Sequence, residues 1–329
     1  MTTAEREKIR FGDGAQLISE TEDSAVYRLR SRSGEMQMVC HQVFPGIELI
    51  YRDAHMHGYT VRPTSEGRLL EITHCREGRV EYGFDDELCY LEPGDLSVAR
   101  RDDAGHGAWF PTGHYHGLSV LIDIDRAPAC LSCILDDVNV RPQALLDKFC
   151  GDRRFFVTRS NPGVSHLFSE LYSVPDSIRR AYFKVKMLEL LLFLSAMDVS
   201  EDQRLQRCVP RAQAQLARKV CAYLTAHMDS RVTLDEMTGV LHVSGTQIKN
   251  SFRSVYGISV YAYIRTQKMQ AAARMLRETD CTVLEIAGKY AYDNSSKFAR
   301  AFKDTFGMTP SEYRAAAAAG TLLQTEESV

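Results

Sequence analysis

The sequence predicts an α+β protein with a β-rich N-terminal part and a helical C-terminal part. Between about residues 20 and 125, short segments rich in β-branched and aromatic residues alternate with turns that contain Gly, Pro or Asp, which is the pattern of strands. Beyond about residue 141 the apolar residues recur at helical spacing. The last third repeats one helical unit, and such repetition is more specific than any single motif.

The β-rich part contains six extended segments. They read AVYRLR, MQMVCHQVF, IELIYRDAHMH, LLEITHCREGRVEYGF, ELCYLEPGDLSVAR and HGLSVLIDI. Turns at FPG, REG, FDDE and EPGD separate strands within and between these segments. Six or more short strands at this spacing predict a β-sandwich or a small barrel.

Three helical segments follow the strands. They read RPQALLDKFC, GVSHLFSELYSV and SIRRAYFKVKMLELLLFLSAMD. The third is apolar on most of its circumference, so it is either part of a core or the seam of a dimer. The polar segment VSEDQRLQRCVPRAQ contains a proline and is interpreted as a linker into the last third.

The repeated unit covers 233–263 and again 282–313, with one extra residue in the second turn. The matched pairs are Ile248 and Phe298, Phe252 and Phe302, Arg253 and Lys303, Tyr256 and Phe306, Gly257 and Gly307, and Tyr263 and Tyr313. Each unit predicts a short helix, a turn and a second helix, which Ser244 or Asn294 caps and Gly257 or Gly307 ends. This is the helix-turn-helix arrangement, whose second helix enters the major groove of DNA.

The second helix of each unit has two contrasting faces. Ile248, Phe252, Val255 and Tyr256 share the predicted core face in the first unit, as do Phe298, Phe302, Thr305 and Phe306 in the second. The opposite faces carry side chains that can donate to phosphates and base edges. These candidate DNA-binding residues are Thr246, Gln247, Lys249, Asn250, Arg253, Ser295, Ser296, Lys297, Arg300 and Lys303.

The segment between the units, SVYAYIRTQKMQAAARMLRETD, predicts a helix of about 19 residues, roughly 28 Å long. It would hold the two second helices about one DNA turn apart, near 34 Å. The charge agrees with a polyanionic partner. Residues 205–314 contain 16 Lys and Arg against 9 Asp and Glu, a net +7, which leaves −10 for the rest of a chain whose total is −3.

With these motifs in place, residues from about 212 to 314 resemble the AraC/XylS family of bacterial transcription regulators. The family signature runs from an aromatic turn through F-x-x-x-F-[KR] to G-x-x-P-x-x-[FY]-R. Tyr292, Phe298, Phe302, Lys303, Gly307, Pro310, Tyr313 and Arg314 occupy those places. The sequence departs from the family at the turn glycine of each unit, which is replaced by His242 and Ala291; alanine tolerates a left-handed turn less well than histidine does.

In many members of this family a cupin-like β-barrel binds a small effector and adjacent helices form a dimer. The segment LEPGDLSVARRDDAGH resembles the PGD turn of cupins. Polar residues of the strands are candidates to orient an effector in an otherwise apolar barrel. They are Tyr51, His57, Glu71, His74, Arg100, His114 and His116.

Two His-x-His pairs, His55 with His57 and His114 with His116, raise the question of a metal. Cupin enzymes follow the first pair with a Glu three or four residues later, where this chain has Val61 and Arg62. We therefore expect no metal and no cofactor. No catalytic Ser/His/Asp or Cys/His set and no phosphate-binding glycine motif can be assembled from the sequence, so we expect no enzyme.

Nine cysteines, an odd number, are scattered along the chain, and a reducing compartment would keep them as thiols. Cys130 and Cys133 form a lone CxxC, which is interpreted as small buried residues. The N-terminus lacks the apolar core of a secretory signal, and the most apolar run, MLELLLFLSAM, is too short to span a bilayer. These features predict a cytoplasmic location.

The predicted organisation has five parts. They are a cupin-like effector-sensing domain at 1–135, a helical dimerisation segment at 136–200, a linker at 201–211, a DNA-binding domain at 212–316 and a flexible tail at 317–329. The resemblance implies a homodimer that binds promoter or operator DNA, with a small-molecule effector and RNA polymerase as further partners and none in a membrane. Two alternatives remain open: a metal-dependent cupin enzyme fused to a DNA-binding domain, and an effector-independent repressor or architectural protein.

Overall fold

The computed structural model describes residues 14–60, 68–84, 87–101, 107–129, 131, 140–151, 155–200, 205 and 207–319. The chain divides into two compact units, Met1–Arg211 and Ala212–Val329. The first contains both sheets, and the second is helical. The predicted α+β class is confirmed.

The larger sheet of the N-terminal unit has eight antiparallel strands in the order β1-β2-β3-β4-β11-β6-β9-β12. The strands are β1 Ala15–Glu20, β2 Ser24–Ser31, β3 Gly34–Phe44, β4 Ile47–His55, β6 Leu69–Gly78, β9 Asp95–Arg101, β11 Tyr115–Asp123 and β12 Phe155–Arg159. All six segments predicted as extended contain strands.

A smaller sheet of five strands has the order β13-β8-β7-β10-β5. Its strands are β5 Gly58–Tyr59, β7 Val80–Phe84, β8 Glu87–Leu91, β10 Ala108–Trp109 and β13 Cys208–Pro210. Apolar residues of both sheets, such as Met38 and Ile50 of the larger and Val80 and Leu91 of the smaller, form one buried cluster. The larger sheet ends at β1 and β12, each paired with a single neighbour. The described strands thus form two open sheets that share a core, which agrees with the sandwich expectation; no closed barrel is found among them, so the cupin-like barrel is not confirmed.

The other face of the larger sheet is covered by α1 Pro142–Cys150, α2 Pro162–Leu171 and α3 Arg179–Ala196. The buried residues of α3 include Phe183, Leu190 and Leu194, which pack with strand residues in a second cluster. The strands and these helices lie in one compact unit, whereas 136–200 was predicted as a separate dimerisation segment. These helices and β12, which the sequence analysis missed, complete the N-terminal unit.

β13 lies within 201–211, the range predicted as a linker. β13 pairs with β8, so that Cys208 lies opposite Cys89 and Pro210 opposite Glu87. Just before it, Arg207 contacts two carboxylates of the unit, at 2.9 Å from Glu92 and 3.0 Å from Asp95. The described end of this segment therefore belongs to the smaller sheet.

Cys89 and Cys208 form a disulfide between these paired strands, which differs from the expectation that all cysteines are thiols. Cys40, Cys75 and Cys150 are buried thiols, and Cys221 and Cys281 are half-buried thiols. Of the CxxC pair, both Cys130 and Cys133 lie outside the described residues.

The C-terminal unit consists of seven described helices. They are α4 Arg211–Ala226, α5 Leu234–Leu241, α6 Gly245–Tyr256, α7 Val260–Glu278, α8 Val283–Lys289, α9 Ser295–Phe306 and α10 Pro310–Ala318. Because α10 continues to Ala318, the predicted tail at 317–329 begins inside a helix, and 320–329 lie outside the described residues. In the described part of the chain, no helix meets the length and hydropathy that crossing a membrane requires.

The same aromatic triad closes each helix-turn-helix unit. In the first, the ring of Phe252 lies 4.3 Å from that of Tyr256 and 5.3 Å from that of Tyr263. In the second, Phe302 lies 4.7 Å from Phe306 and 5.4 Å from Tyr313. Aromatic pairs at these separations add to the stability gained from burial. Phe298 and Phe302 are buried as predicted, whereas Phe306 and Thr305 are half-buried.

Lys268 in the middle of α7 is buried and holds three parts of the C-terminal unit together. Its Nζ donates to the carbonyl oxygen of Ser230, at 2.9 Å, and to that of Tyr290, at 3.0 Å. Burial lowers the pKa of Lys268. The two carbonyl groups compensate for the hydration that the ammonium loses.

Candidate nucleic-acid interface

The turns of the two units share one backbone conformation. His242, which ends α5, has a φ of 53°, and Ala291, which follows α8, has a φ of 59°. Both values lie in the left-handed region that favours glycine. The two departures from the family sequence therefore leave the turn conformation in place at both positions.

Both second helices begin and end with the residues predicted to cap them. The Ser244 side chain accepts from the backbone N–H of Gln247, and the Asn294 side chain accepts from those of Ser296 and Lys297. Gly257 and Gly307 follow the last residues of α6 and α9 with φ of 75° and 74°. These caps fix where each helix starts, and so fix which side chains lie on its outer face.

The ten predicted DNA-binding residues are all exposed on α6 and α9. They are Thr246, Gln247, Lys249, Asn250 and Arg253 on α6, and Ser295, Ser296, Lys297, Arg300 and Lys303 on α9. The opposite faces of the two helices are buried. Each helix thus places its polar side chains outward and its aromatic side chains inward.

Gln247 differs from the other nine because its side chain also belongs to the helix cap. Its Oε1 accepts from the backbone N–H of Ser244 at 3.2 Å and from the Ser244 hydroxyl at 3.1 Å. Gln247 would have to give up these bonds to accept from a base edge. The neighbouring side chains of Thr246 and Asn250 make no hydrogen bond within the described structure, so they need no such exchange.

Comparisons with known proteins agree with this geometry. A helix-turn-helix domain profile matches residues 237–316. The Right origin-binding protein of Escherichia coli K12 is 34% identical over 102 residues, covering 31% of this chain and 35% of that protein. The Transposon Tn10 TetD protein of Escherichia coli is 34% identical over 97 residues, covering 30% of this chain and 70% of TetD. The chain belongs to the AraC/XylS family.

A solved structure titled as a probable AraC family transcriptional regulator, from Rhodopseudomonas palustris, is 28% identical to the chain. The match covers 31% of this chain and 97% of that one, with a TM-score of 0.29. The chain spans about a third of the length of the Right origin-binding protein. The profile match at residues 237–316 lies within the C-terminal unit.

Two residues of the AraC/XylS signature have structural contacts in this chain. The Arg314 guanidinium donates to the carbonyl oxygens of Leu276 and Cys281, and the Tyr313 hydroxyl accepts from Arg277 at 3.1 Å. These bonds fasten α10 to the end of α7. The structure therefore assigns Arg314 to the scaffold, although its charge alone would suit DNA.

In the N-terminal unit of this AraC/XylS protein, a small cavity lies between the two sheets. Its lining includes Glu71 and Thr73 of β6, Ser97 and Arg101 of β9, and Tyr82 of β7. Beside it, Arg52 and Glu71 form a buried ion pair at 2.8 Å, and Arg101 lies 3.4 Å from the other Glu71 oxygen. Burial opposes the charge of Arg52, but Glu71 and nearby tyrosines raise its pKa above the usual range.

Of the seven residues predicted to orient an effector, the structure places only Glu71 in this cavity. Tyr51 and His74 lie on the opposite face of the larger sheet, where the Tyr51 hydroxyl donates to the Leu171 carbonyl and His74 stacks on Phe168 with ring centroids 4.5 Å apart. Strand alternation turns Arg101 into the cavity and Arg100 away from it. The predicted set is therefore dispersed, because the faces of a strand cannot be assigned before the topology is known.

The other three predicted residues are histidines, and they also separate. His114 and His116 lie with His55, their ligand nitrogens within 4.8 Å of one another. His57 is apart from them, with its ring against Gly113 and its Nδ1 3.4 Å from the Phe110 carbonyl oxygen. Four residues at or beside the cavity were not predicted from the sequence: Arg52, Tyr82, Ser97 and Arg101. The alternation of residues around Glu71 was the available signal for them.

Proposed function

We propose that this protein is a sequence-specific DNA-binding transcription regulator of the AraC/XylS family, in which α6 and α9 enter successive major grooves of promoter or operator DNA. The observation that carries the proposal is the repeated unit, with ten exposed polar side chains over two aromatic cores. Two equivalent faces on helices joined by a 19-residue helix suit a duplex, whose grooves recur about every 34 Å. Such a regulator works in the cytoplasm and needs no catalytic site.

Footprinting of the full-length protein on DNA upstream of its own gene and of neighbouring genes tests this proposal. We expect two protected segments, one helical turn apart, on one face of the DNA. The affinity should fall steeply with salt, because the basic side chains displace counterions from phosphates. Protection of a single segment would contradict the use of both units, and equal affinity for every sequence would contradict a sequence-specific regulator.

As part of the proposal we place a small-molecule effector at the cavity between the two sheets. The cavity has about 10 Å³ of free space, enough for about one water molecule, so the sheets would have to move apart to admit the effector. The polar groups of the cavity are held in place, because Arg52 behind it donates hydrogen bonds to both Glu71 and Ser119. A ligand that combines an apolar body with a group able to pair with Arg101 or Glu71 suits such a lining. RNA polymerase would be the further partner if effector binding activates transcription.

Thermal unfolding with candidate metabolites tests the effector proposal, since a ligand that binds the native state raises apparent stability. The single tryptophan of the chain, Trp109, lies in the smaller sheet, so its fluorescence follows the N-terminal unit alone. Arg101→Ala should abolish the shift that a true effector produces. If Arg101→Ala leaves the ligand-induced rise in unfolding temperature intact, the ligand binds elsewhere. If no metabolite alters the DNA footprint, the effector-independent regulator is favoured.

We further propose that the protein is a homodimer joined through α3. Although the inner face of α3 is buried, Ile178 just before the helix, Val185 and Leu192 are exposed by 50%, 62% and 37%. They are seven residues apart, which is the period of helices that pair along an apolar seam. A second copy of α3 would cover all three side chains.

A further inference from the structure

Three histidines from two neighbouring strands meet on the face of the larger sheet opposite to the cavity. His55 ends β4, His114 directly precedes the first residue of β11, and His116 is the second residue of β11. Their ring centroids are 4.6 to 5.5 Å apart. Each offers a ligand nitrogen, and these nitrogens all lie within 4.8 Å of one another.

The backbone beneath the cluster is fixed on both sides. β11 pairs with β4 so that His116 lies opposite Asp53, and with β6 so that His116 lies opposite Glu77. A bulge in the β11–β6 pairing lies between His116 and Gly117, and bulges of this kind redirect side chains next to functional sites. Gly78 packs so closely on the His114 carbonyl that a Cβ there would lie 2.1 Å from the oxygen.

Two carboxylates surround the three rings. Asp53 Oδ1 lies 3.0 Å from His55 Nε2 and 2.8 Å from His116 Nε2. Glu77 Oε2 lies 3.7 Å from His114 Nε2 and 3.7 Å from His116 Nδ1. Carboxylates that contact ligand histidines orient the rings and favour a bound cation. Ion pairs between exposed side chains contribute little by themselves, so charge pairing does not account for this convergence.

We propose that His55, His114 and His116 bind a divalent transition-metal ion, with Asp53 as the nearest oxygen donor for the fourth position. Imidazole ligands suit zinc, copper and nickel, and three histidines with one carboxylate in a tetrahedral arrangement suit zinc best. Zinc needs ligand atoms about 3.4 Å apart, given Zn–N distances of about 2.0–2.1 Å. The ligand nitrogens now lie within 4.8 Å of one another, so they would have to move closer to reach this spacing.

This site differs from the one that the two His-x-His pairs suggested in the sequence. It uses one member of the first pair and both members of the second, and it lies outside the cavity between the sheets. Its metal is open to solvent on one side, because the side chain of His55 is 60% exposed. The site requires neither the proposed regulatory function nor an effector in the cavity.

Isothermal titration of metal-free, tag-free full-length protein with zinc chloride tests the proposal. We expect one ion per chain, with a dissociation constant in the micromolar range or below. His114→Ala and His116→Ala should each weaken binding at least tenfold. His55→Ala should do the same and, because this side chain is exposed at the end of a strand, should leave the unfolding midpoint of the metal-free protein unchanged.

The matched control is His57→Ala, which removes the other member of the first histidine pair and should retain the affinity within twofold. A Cys130→Ser/Cys133→Ser variant tests whether the CxxC pair, a second zinc-binding candidate, holds the ion instead. This variant should also retain the affinity. The proposal is overturned if the wild type shows no saturable binding, if the three cluster variants bind as tightly as the wild type, or if the cysteine variant loses the ion. DNA binding enters none of these readouts.

Discussion

His242 and Ala291 hold equivalent left-handed turns in the two helix-turn-helix units, with φ of 53° and 59°. The free-energy cost of this conformation differs between the two residues. A left-handed backbone places Cβ against the following carbonyl oxygen at a cost of about 1–2 kcal/mol, and histidine is found there more readily than alanine. Ala291 is therefore the more strained of the two turns.

Ala291→Gly should raise the free energy of unfolding of the C-terminal unit by about 1 kcal/mol, because glycine adopts this conformation without strain. Calorimetry of the full chain measures the change, and Trp109 fluorescence checks that the N-terminal unit is unaffected. Ala315→Gly, at an exposed position within α10, is the control and should destabilise by about 1 kcal/mol. Destabilisation by Ala291→Gly would show that the turn is not strained.

Asn250→Ala on α6 and Arg300→Ala on α9 should change which bases the protein prefers. A side chain that bonds well to a base edge contributes about 1–3 kcal/mol of discrimination, which its replacement by alanine removes. Binding to a set of operators that differ by single base pairs measures this change. Lys219→Ala is the control that removes a positive charge elsewhere, since Lys219 is exposed on α4, outside both helix-turn-helix units. If a variant weakens binding to every operator equally, the residue removed contacts a phosphate.

His74 should make the N-terminal unit sensitive to acid. Burial against Phe168 lowers the pKa of His74 to about 4, whereas an unfolded histidine has a pKa of about 6.5. The unfolded chain therefore takes up a proton first, and stability falls as the pH drops from about 6.5 to about 4. The loss approaches about 3 kcal/mol, at 1.36 kcal/mol for each unit of pKa difference.

Urea unfolding followed by Trp109 fluorescence at pH 7 and pH 4.5 measures this contribution. His74→Phe keeps an aromatic ring on Phe168 and removes the titration, so it should lose less stability on acidification than the wild type. His166→Ala, at a side chain that is 73% exposed, should lose as much as the wild type. Equal acid sensitivity of wild type and His74→Phe would mean that other groups control it.

Val185→Glu should convert the proposed dimer to a monomer, because a charge in an apolar seam has no partner when the seam is buried. Leu192→Glu should have the same effect, one heptad further along α3. Light scattering with size-exclusion chromatography measures the mass. Val240→Glu introduces the same charge at a comparably exposed position, 52% exposed on α5, and should leave the mass unchanged. A dimer that survives both α3 variants uses another surface.

The sequence predicted the C-terminal unit in detail because its information is local. The spacing of Phe298 and Phe302, the caps at Ser244 and Asn294, and the glycines that end both helices act within a few residues of one another. The internal repeat supplied an independent check on each assignment. Two details differed: Thr305 and Phe306 are half-buried, and α10 continues past the predicted start of the tail.

In the N-terminal unit the strands and helices were predicted, but their pairing and packing were not, because the residues that determine them are far apart in the chain. β13 is short and contains Pro210, so its pairing with β8 leaves no periodic signal. Which side of β9 faces the cavity depends on the neighbours of that strand, and a shift of one residue exchanges Arg100 for Arg101. The histidine cluster likewise depends on the register between β4 and β11.

The disulfide joins Cys89 to a cysteine that is synthesised 119 residues later. A ribosome adds residues in order, so Cys208 emerges only after every strand of the larger sheet has been made. The bond can therefore stabilise the N-terminal unit after it has assembled but cannot guide its early folding. Where glutathione keeps both sulfurs reduced, the backbone pairing of β13 and the ion pairs of Arg207 remain to hold this last strand in place.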